Sequence, residues 1–337
     1  MKHSKYLLAG DIGGTNTTMG LFEISSGCNG LLGTRSYSTR NISNLKFLIE
    51  DCKAQFLKSH KVDVDLVSLA VAGPVSVDHQ YARLTNVRLE ADAKGLSKSC
   101  GLDVLLLNDF EAIGYALAEN KLKDAICLKK GRKVRGNMIV VGAGTGLGKV
   151  TIAYDQDRYI VMPSEAGHTD FAPVNHSEME LMEFVKETNR IRGAVDWEHL
   201  LSGRGLTNIY EFLHTSKGFH ATKYTLDVDS QGGSPELISL YKQRDKTCKA
   251  TFRLFSSMYA RFIRNQALDS LSTGGVYVAG GIAVKNPEIF DKNFVNTFSS
   301  NTAQSCLLKD MPIYLVTDLR AGLVGAGIAG KNHISLL

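Results

Sequence analysis

The chain lacks the marks of several broad protein classes. Its six cysteines (Cys28, Cys52, Cys100, Cys127, Cys248 and Cys306) are scattered, with no Cys-x-x-Cys pair and no Cys/His cluster. That spacing argues against a structural zinc site and against a disulfide framework. It fits a reduced, cytoplasmic protein. No apolar run is long enough to span a bilayer, so no membrane partner is expected. Met1-Lys2-His3-Ser4-Lys5 runs straight into a candidate strand, which leaves no room for a signal peptide. Ser335-Leu336-Leu337 lacks the basic residue of a peroxisomal address. Charge of one sign is scarce too: 39 Lys and Arg against 34 Asp and Glu leave a formal +5. The densest basic stretch, Lys129-Lys130-Gly131-Arg132-Lys133, reads as a solvated loop, so nucleic acid is not an expected partner.

What is present suits two globular domains. With 337 residues, 44% apolar, the chain can bury ample core. Its first part alternates strands and helices. A strand–turn–strand over about 6–24 leads to a strand near Leu32–Tyr37 and a helix carrying Leu45, Leu48, Ile49 and Phe56. Buried strands follow at 67–72 and 104–107, then a helix over 111–119. This order predicts a mostly parallel, covered sheet. A second hairpin at 138–154 restarts the pattern. After it the spacing predicts a helix over 177–190 with a Ser177/Glu180 capping box, short helices at 196–202 and 206–213, and an irregular excursion at 216–234. A long helix over 236–270, strands at 276–279 and 313–316, and a Gly/Ala-rich helix at 321–330 complete the chain.

Each half therefore opens with a hairpin whose tip is rich in glycine and threonine: Asp11-Ile12-Gly13-Gly14-Thr15-Asn16 and Gly142-Ala143-Gly144-Thr145-Gly146. Glycines permit a turn at positive φ and let backbone N–H groups approach an anion, and a threonine hydroxyl adds a donor. Two such tips could grip a polyphosphate from two domains. Other glycine-rich segments are misleading. Gly144-Thr145-Gly146-Leu147-Gly148-Lys149 has Ala143 and Val150 where a P-loop needs Gly and Ser/Thr, and it leads into a strand. Gly325-Ala326-Gly327-Ile328-Ala329-Gly330 has no room for a following βαβ unit and reads as a closely packed helix.

Phosphoryl transfer needs a positioned polyphosphate, a divalent ion and a base near the acceptor hydroxyl. Asp11 beside the first tip could hold Mg²⁺ through water. Asp109 stands just past a buried strand, where open α/β sheets bind ligands, and could take a proton while Asn108 fixes a sugar ring. The alternative is that Asn108-Asp109 only caps the next helix. Glu165 and His168 sit three apart across a glycine turn and could converge on adjacent hydroxyls, with Glu198 as a third polar contact or a solvated helix carboxylate. Together these residues point to a sugar kinase.

The chain closely resembles the bacterial-type glucokinases of the actin-like sugar-kinase superfamily. The resemblance runs over essentially the whole length. It is carried by Gly10–Asn16, Ala72-Gly73-Pro74, Leu84-Thr85-Asn86, Leu107-Asn108-Asp109-Phe110, Gly142–Gly148, Glu165–Pro173, Leu201-Ser202-Gly203 and Val278-Ala279-Gly280-Gly281-Ile282. It implies a two-domain α/β, ribonuclease H-like ATPase fold with a sugar/ATP cleft between domains. A small discontinuous domain would take 1–120 plus 318–337, and a large one 121–317. Asp109 would be the general base, and Asn108, Glu165, His168 and Glu198 would bind the sugar. Asp11, Gly13, Gly14 and Thr15 would form one phosphate turn, Gly144, Thr145 and Gly146 the other, and Gly280 and Gly281 would lie against adenosine. The implied activity is ATP- and Mg²⁺-dependent phosphorylation of D-glucose to glucose 6-phosphate, feeding glycolysis, in a homodimer. Val87-Arg88-Leu89 stands where the family usually has a tryptophan, and Ile263-Arg264 where it often has a Gly-Gly pair. A sugar-sensing regulator would need an N-terminal DNA-binding segment, for which the early first strand leaves no space. A sugar-independent ATPase would have no use for Glu165, His168 and Glu198 together.

Overall fold

A computed structural model describes residues 5–25, 28–85, 87–122, 124–132 and 134–334. Met1–Ser4, Asn86 of the Leu84–Asn86 motif, Lys133 of the basic stretch and Ser335–Leu337 lie outside the described residues. The chain divides into two compact units, one of Met1–Lys123, Tyr159–Pro163 and Asp318–Leu337, the other of Asp124–Arg158 and Ser164–Thr317.

The first unit begins with β1 (Lys5–Ile12), β2 (Asn16–Ser25) and β3 (Cys28–Ser38), an antiparallel meander. Helix α1 (Leu45–His60) follows, capped by the Asn44 side chain, and then β4 (Leu66–Val71), buried along its whole length. A short hairpin, β5 (Tyr81–Arg83) and β6 (Glu90–Asp92), precedes α2 (Ala93–Cys100), β7 (Asp103–Asn108) and α3 (Asp109–Ala118). The sheet order is β3-β2-β1-β4-β7, with β1, β4 and β7 parallel. Largely apolar runs, interrupted by Asp11 near the end of β1 and by Ser68 in β4, make these the central strands covered on both faces. Leu8, Ile12, Met19, Leu21, Val67 and Leu69 pack with Ile49 and Phe56 of α1 on one side. Leu7, Ala9, Leu66 and Ala70 pack with Ala112 and Leu323 on the other.

In the second unit, β8 (Ala125–Lys129) and the hairpin β9 (Met138–Ala143) and β10 (Leu147–Asp155) lead to β11 (Arg158–Ser164), whose residues Tyr159–Pro163 cluster with the first unit. Helices α4 (His176–Thr188), α5 (Gly203–Ser216), α6 (Lys223–Ser230), α7 (Pro235–Tyr241) and α8 (Lys246–Asp269) follow. Then come β12 (Gly275–Ala279), α9 (Gly281–Lys285), α10 (Lys292–Ser299), α11 (Ser305–Asp310) and β13 (Ile313–Val316). Strands β10-β9-β12-β13-β8 lie side by side, β12 parallel to both neighbours. Phe255, Tyr259 and Phe262 of α8 are fully buried in this unit's core, each worth about 1.5–3 kcal/mol of apolar burial.

The last helix, α12 (Ala321–Ile334), clusters with the first unit. Its glycines serve packing. A Cβ at Gly325 would sit 1.7 Å from the Ala112 carbonyl oxygen, and one at Gly330 would sit 2.8 Å from Leu7. The Gly-x-Gly-x-x-Gly string is thus a close-packed helix face.

Several sequence expectations are corrected. The helix expected from Ser177 is capped two residues earlier, by Asn175, whose side chain accepts the Glu178 N–H at 3.0 Å, so there is no Ser177/Glu180 capping box. The long helix expected over 236–270 is two helices. Asp245, between them, caps α8 by accepting the Cys248 N–H at 2.9 Å. The excursion at 216–234 contains α6, started by a Thr222/Thr225 capping box. The short helix expected at 196–202 is a single 3₁₀ turn, Trp197–His199.

Candidate active site

In the first unit, the first tip closes when Gly13 N–H donates to the Asn16 carbonyl at 3.0 Å. Thr39, just past β3, braces it: its hydroxyl donates to the Gly13 carbonyl at 2.7 Å and its N–H to the Thr15 carbonyl at 2.9 Å. Thr15 itself is exposed, leaving its hydroxyl at the surface. The expected positive φ is not found at Gly13, Gly14, Gly144 or Gly146. Their lack of a side chain matters instead for space. A Cβ at Gly13 would press on the Asn16 carbonyl at 3.1 Å, whereas one at Gly144 would point into open space.

Asp11, next to last in β1, is half-buried against the first turn of α12, where a Cβ on Gly322 would lie 2.5 Å from its Oδ2. Burial pushes its pKa from an ordinary 3.8 up to about 6. No group of three His, Cys, Asp or Glu gathers to hold a metal among the described residues. A single hard carboxylate fits a Mg²⁺ held mostly by water and substrate phosphate, and it does not fit an all-protein cage.

Asn108 and Asp109 stand at the end of β7, two strands from β1. Asp11 and Leu107 flank the same residue of β4, Ala70, so the strand positions are about 10 Å apart, twice the interstrand spacing. The helix-capping alternative holds for Asn108. Its Oδ1 accepts the Phe110 N–H at 2.9 Å, and Glu111 reaches back to the Asn108 N–H at 3.4 Å. Its Nδ2 donates to the Gly73 carbonyl at 3.0 Å, tying the cap to Ala72-Gly73-Pro74. Asp109 is the first residue of α3, two residues earlier than the helix start expected from the sequence, and is half-buried.

In the second unit, the second tip is held when Gly144 N–H donates to the Gly146 carbonyl at 2.9 Å and Gly203 N–H to the Gly144 carbonyl at 2.8 Å. Gly203 opens α5, so the tip lies at that helix's N-terminus, the positive end of its dipole. Thr145 at the tip is exposed. Gly280 has φ +91°, and a Cβ there would meet the Ala143 carbonyl at 2.6 Å. The Gly280-Gly281 turn is thereby set against the root of the second tip.

Glu198 is no free helix carboxylate. Its Oε2 accepts the Leu147 N–H at 2.8 Å, directly behind the tip, and a Cβ on Gly146 would lie 2.7 Å from the same oxygen. Gly167 approaches from the other side, within 2.1 Å, for a notional Cβ, of the Leu147 carbonyl. Leu147 thus fastens the Glu165–His168 turn and the Glu198 turn to the second tip. Glu165 precedes a 3₁₀ turn, Ala166–His168, which His168 ends, and both are exposed.

Two residues beneath these turns escaped the sequence reading. Asp196 lies 3.0 Å from His168 through Oδ2 and Nδ1. Its place just before a turn that needs an N-cap was the available signal. Arg261 is buried in α8 and donates to Glu178 Oε2 at 2.6 Å. Its guanidinium lies over Phe171 and Trp197 at 5.8 and 5.7 Å, holding the residues that follow Glu165–His168 and precede Glu198. A lone arginine inside the apolar stripe of α8 was its signal.

A family model described as glucokinase matches residues 8–333. The glucokinase of Nostoc punctiforme is 32% identical over 97% of this chain and 99% of its own. The crystal structure of glucokinase from Balamuthia mandrillaris in complex with glucose superposes with a TM-score of 0.80 at 20% identity, covering 97% of this chain and 94% of that one. A ROK family glucokinase from Streptomyces griseus, in complex with glucose and AMPPNP, gives a TM-score of 0.62 at 19% identity over 98% and 100% of the two chains. At those identities the structures establish the fold, the actin-like α/β fold of sugar kinases. The family model and the Nostoc relative establish more: this chain belongs to the glucokinase family.

Proposed function

We propose that this chain transfers the γ-phosphoryl group of ATP to the 6-hydroxyl of D-glucose, releasing ADP and glucose 6-phosphate for glycolysis. Family membership supports the reaction class. The observation that carries the site assignment is Asp109, a carboxylate at the C-terminal end of β7 in the same sheet as Asp11. Ligands of open α/β sheets gather at that edge. Asp109 accepts the proton of the 6-hydroxyl as its oxygen attacks phosphorus, and the β–γ bridging oxygen leaves on ADP. Asn108 orients the sugar beside it. Glu165, His168 and Glu198 accept hydrogen bonds from the other hydroxyls. The N–H groups of Gly13, Gly14, Gly144 and Gly146 and the hydroxyls of Thr15 and Thr145 bind phosphate oxygens, and Gly280-Gly281 lies against adenosine.

Mg²⁺, when bound with ATP, neutralises charge on the β- and γ-phosphates, and Asp11 would hold it through water. Two domains, 1–120 with 318–337 and 121–317, carry these parts, in a cytoplasmic homodimer whose mass light scattering would read. The test is a coupled assay of ADP release with ATP and Mg²⁺ across glucose, mannose, glucosamine and fructose. Glucose-dependent turnover supports the reading. Preference for another sugar changes the substrate, and hydrolysis without sugar rejects the kinase.

A further inference from the structure

The Glu165–His168 turn and the Glu198 turn are stitched together by backbone. Phe171 N–H donates to the Val195 carbonyl at 2.8 Å and Trp197 N–H to the Thr169 carbonyl at 3.1 Å, forming an antiparallel bridge at Asp170 and Asp196. This pairing carries the Asp196 carboxylate to His168. One oxygen, Oδ1, caps the Trp197–His199 turn by accepting the His199 N–H at 3.0 Å, and it also faces His199 Nδ1. The other, Oδ2, faces His168 Nδ1 at 3.0 Å. Asp196 is mostly shielded, whereas the His168 side chain is 53% exposed. No described residue hydrogen-bonds His168 Nε2.

An ionised carboxylate only accepts hydrogen bonds, so the imidazole nitrogen that faces it carries the proton. In the neutral ring the other nitrogen then bears the lone pair. We propose that Asp196 is a positioning residue: it locks His168 in the Nδ1–H form, so that Nε2 accepts a hydrogen bond from a sugar hydroxyl. This rests on reading His168 as a sugar ligand. It makes His168, Glu165 and Glu198 a set of acceptors matched to a substrate rich in O–H donors. It also assigns Asp196 a role apart from the helix cap, since the cap uses the opposite oxygen.

The charges around His168 favour the Nδ1 proton that faces Asp196, and the acceptor role of Nε2 belongs to the neutral ring, at pH above the raised pKa. Asp196 holds the His168 pKa above its ordinary value by their hydrogen bond, against the effect of burial, with Glu198 and Glu165 adding to the rise. Burial opposes ionisation of Asp196, but the hydrogen bonds from His168 and from the His199 N–H outweigh it, with the His199 ring adding to them, and its pKa is lowered.

The test uses the full chain labelled with ¹⁵N-histidine, with His168→Gln to identify the His168 resonances. The wild-type neutral ring is expected to show a protonated Nδ1 and an unprotonated Nε2. Asp196→Asn keeps an oxygen for the His199 N–H. It is expected to move the ring toward the Nε2–H form, lower its pKa and raise glucose KM roughly ten-fold with kcat changed less than about two-fold, the usual worth of a charge-assisted hydrogen bond. A wild-type ring protonated on Nε2 overturns the proposal without any substitution, so a variant that fails to fold does not leave it open. An Asn variant with unchanged tautomer, pKa and KM overturns it too. Glucose binding by calorimetry separates the two readings. A wild type that binds glucose but never phosphorylates it defeats the kinase reading, and the tautomer and affinity data still decide the role of Asp196.

Discussion

Replacing Asp11 by asparagine is expected to make the folded chain more stable and the enzyme far less active. Burial raises the Asp11 pKa from an ordinary 3.8 to about 6, so the folded state holds this proton more tightly than the unfolded chain does. Stability therefore falls as pH rises from about 4 to about 6 and stays lower above that. A rise from 3.8 to about 6 corresponds to about 3 kcal/mol, an upper figure, because Asp11 keeps some contact with water. Asparagine carries no charge to desolvate. The Asn variant should match wild type near pH 4 and exceed it by about 1–3 kcal/mol near pH 7.5 in urea unfolding without nucleotide. Far-UV circular dichroism is the better probe, because the single tryptophan, Trp197, lies in the other unit. ATP- and Mg²⁺-dependent turnover should fall roughly 10²-fold or more, as expected for a lost charge at a phosphoryl-transfer site. A variant no more stable than wild type at either pH would show that the Asp11 carboxylate is not kept at a cost to folding.

Further substitutions probe other joints. Gly146→Ala should displace the Glu198 carboxylate, whose oxygen lies 2.7 Å from the new Cβ; glucose KM should rise about ten-fold while the melting temperature stays within a few degrees, read by steady-state kinetics and a thermal scan. Gly325→Ala drives a Cβ into the Ala112 carbonyl 1.7 Å away, where neither helix backbone can yield cheaply; a loss of about 2–4 kcal/mol in urea unfolding is expected. Arg261→Met leaves Glu178 charged and buried without its partner, which should cost about 3–5 kcal/mol, whereas a double change of Arg261→Met and Glu178→Leu should recover much of it.

Strong periodic signals read well from the chain. The fully buried runs of β4 and β9 and the spacing of Leu45, Leu48, Ile49 and Phe56 in α1 each specify their element, since burial rewards one conformation only. Caps and breaks read less well. Asn175 and Ser177 are both good N-caps, and only the hydrogen bond to Glu178 N–H distinguishes them. The break between α7 and α8 falls at Asp245, one of whose oxygens caps α8 while the other accepts from the Thr222 hydroxyl, a contact only the folded chain makes. Glycine chemistry was misjudged at the tips. Composition cannot tell a residue that needs positive φ, as Gly280 does, from one that needs only empty space, as Gly146 does. Asp196 and Arg261 carry only local signals, because their partners, His168 and Glu178, are distant in sequence and are joined to them only by the tertiary fold.

The role of Asp109 as the base of a glucose-phosphorylating enzyme is tested by kcat for ATP- and Mg²⁺-dependent ADP release with saturating glucose, for wild type and Asp109→Ala, with glucose affinity measured alongside. Glucose-dependent turnover is expected in the wild type, and a loss of about 10²–10⁴-fold in kcat in the variant, with sugar binding largely kept. A variant that turns over glucose at near the wild-type rate would contradict that role.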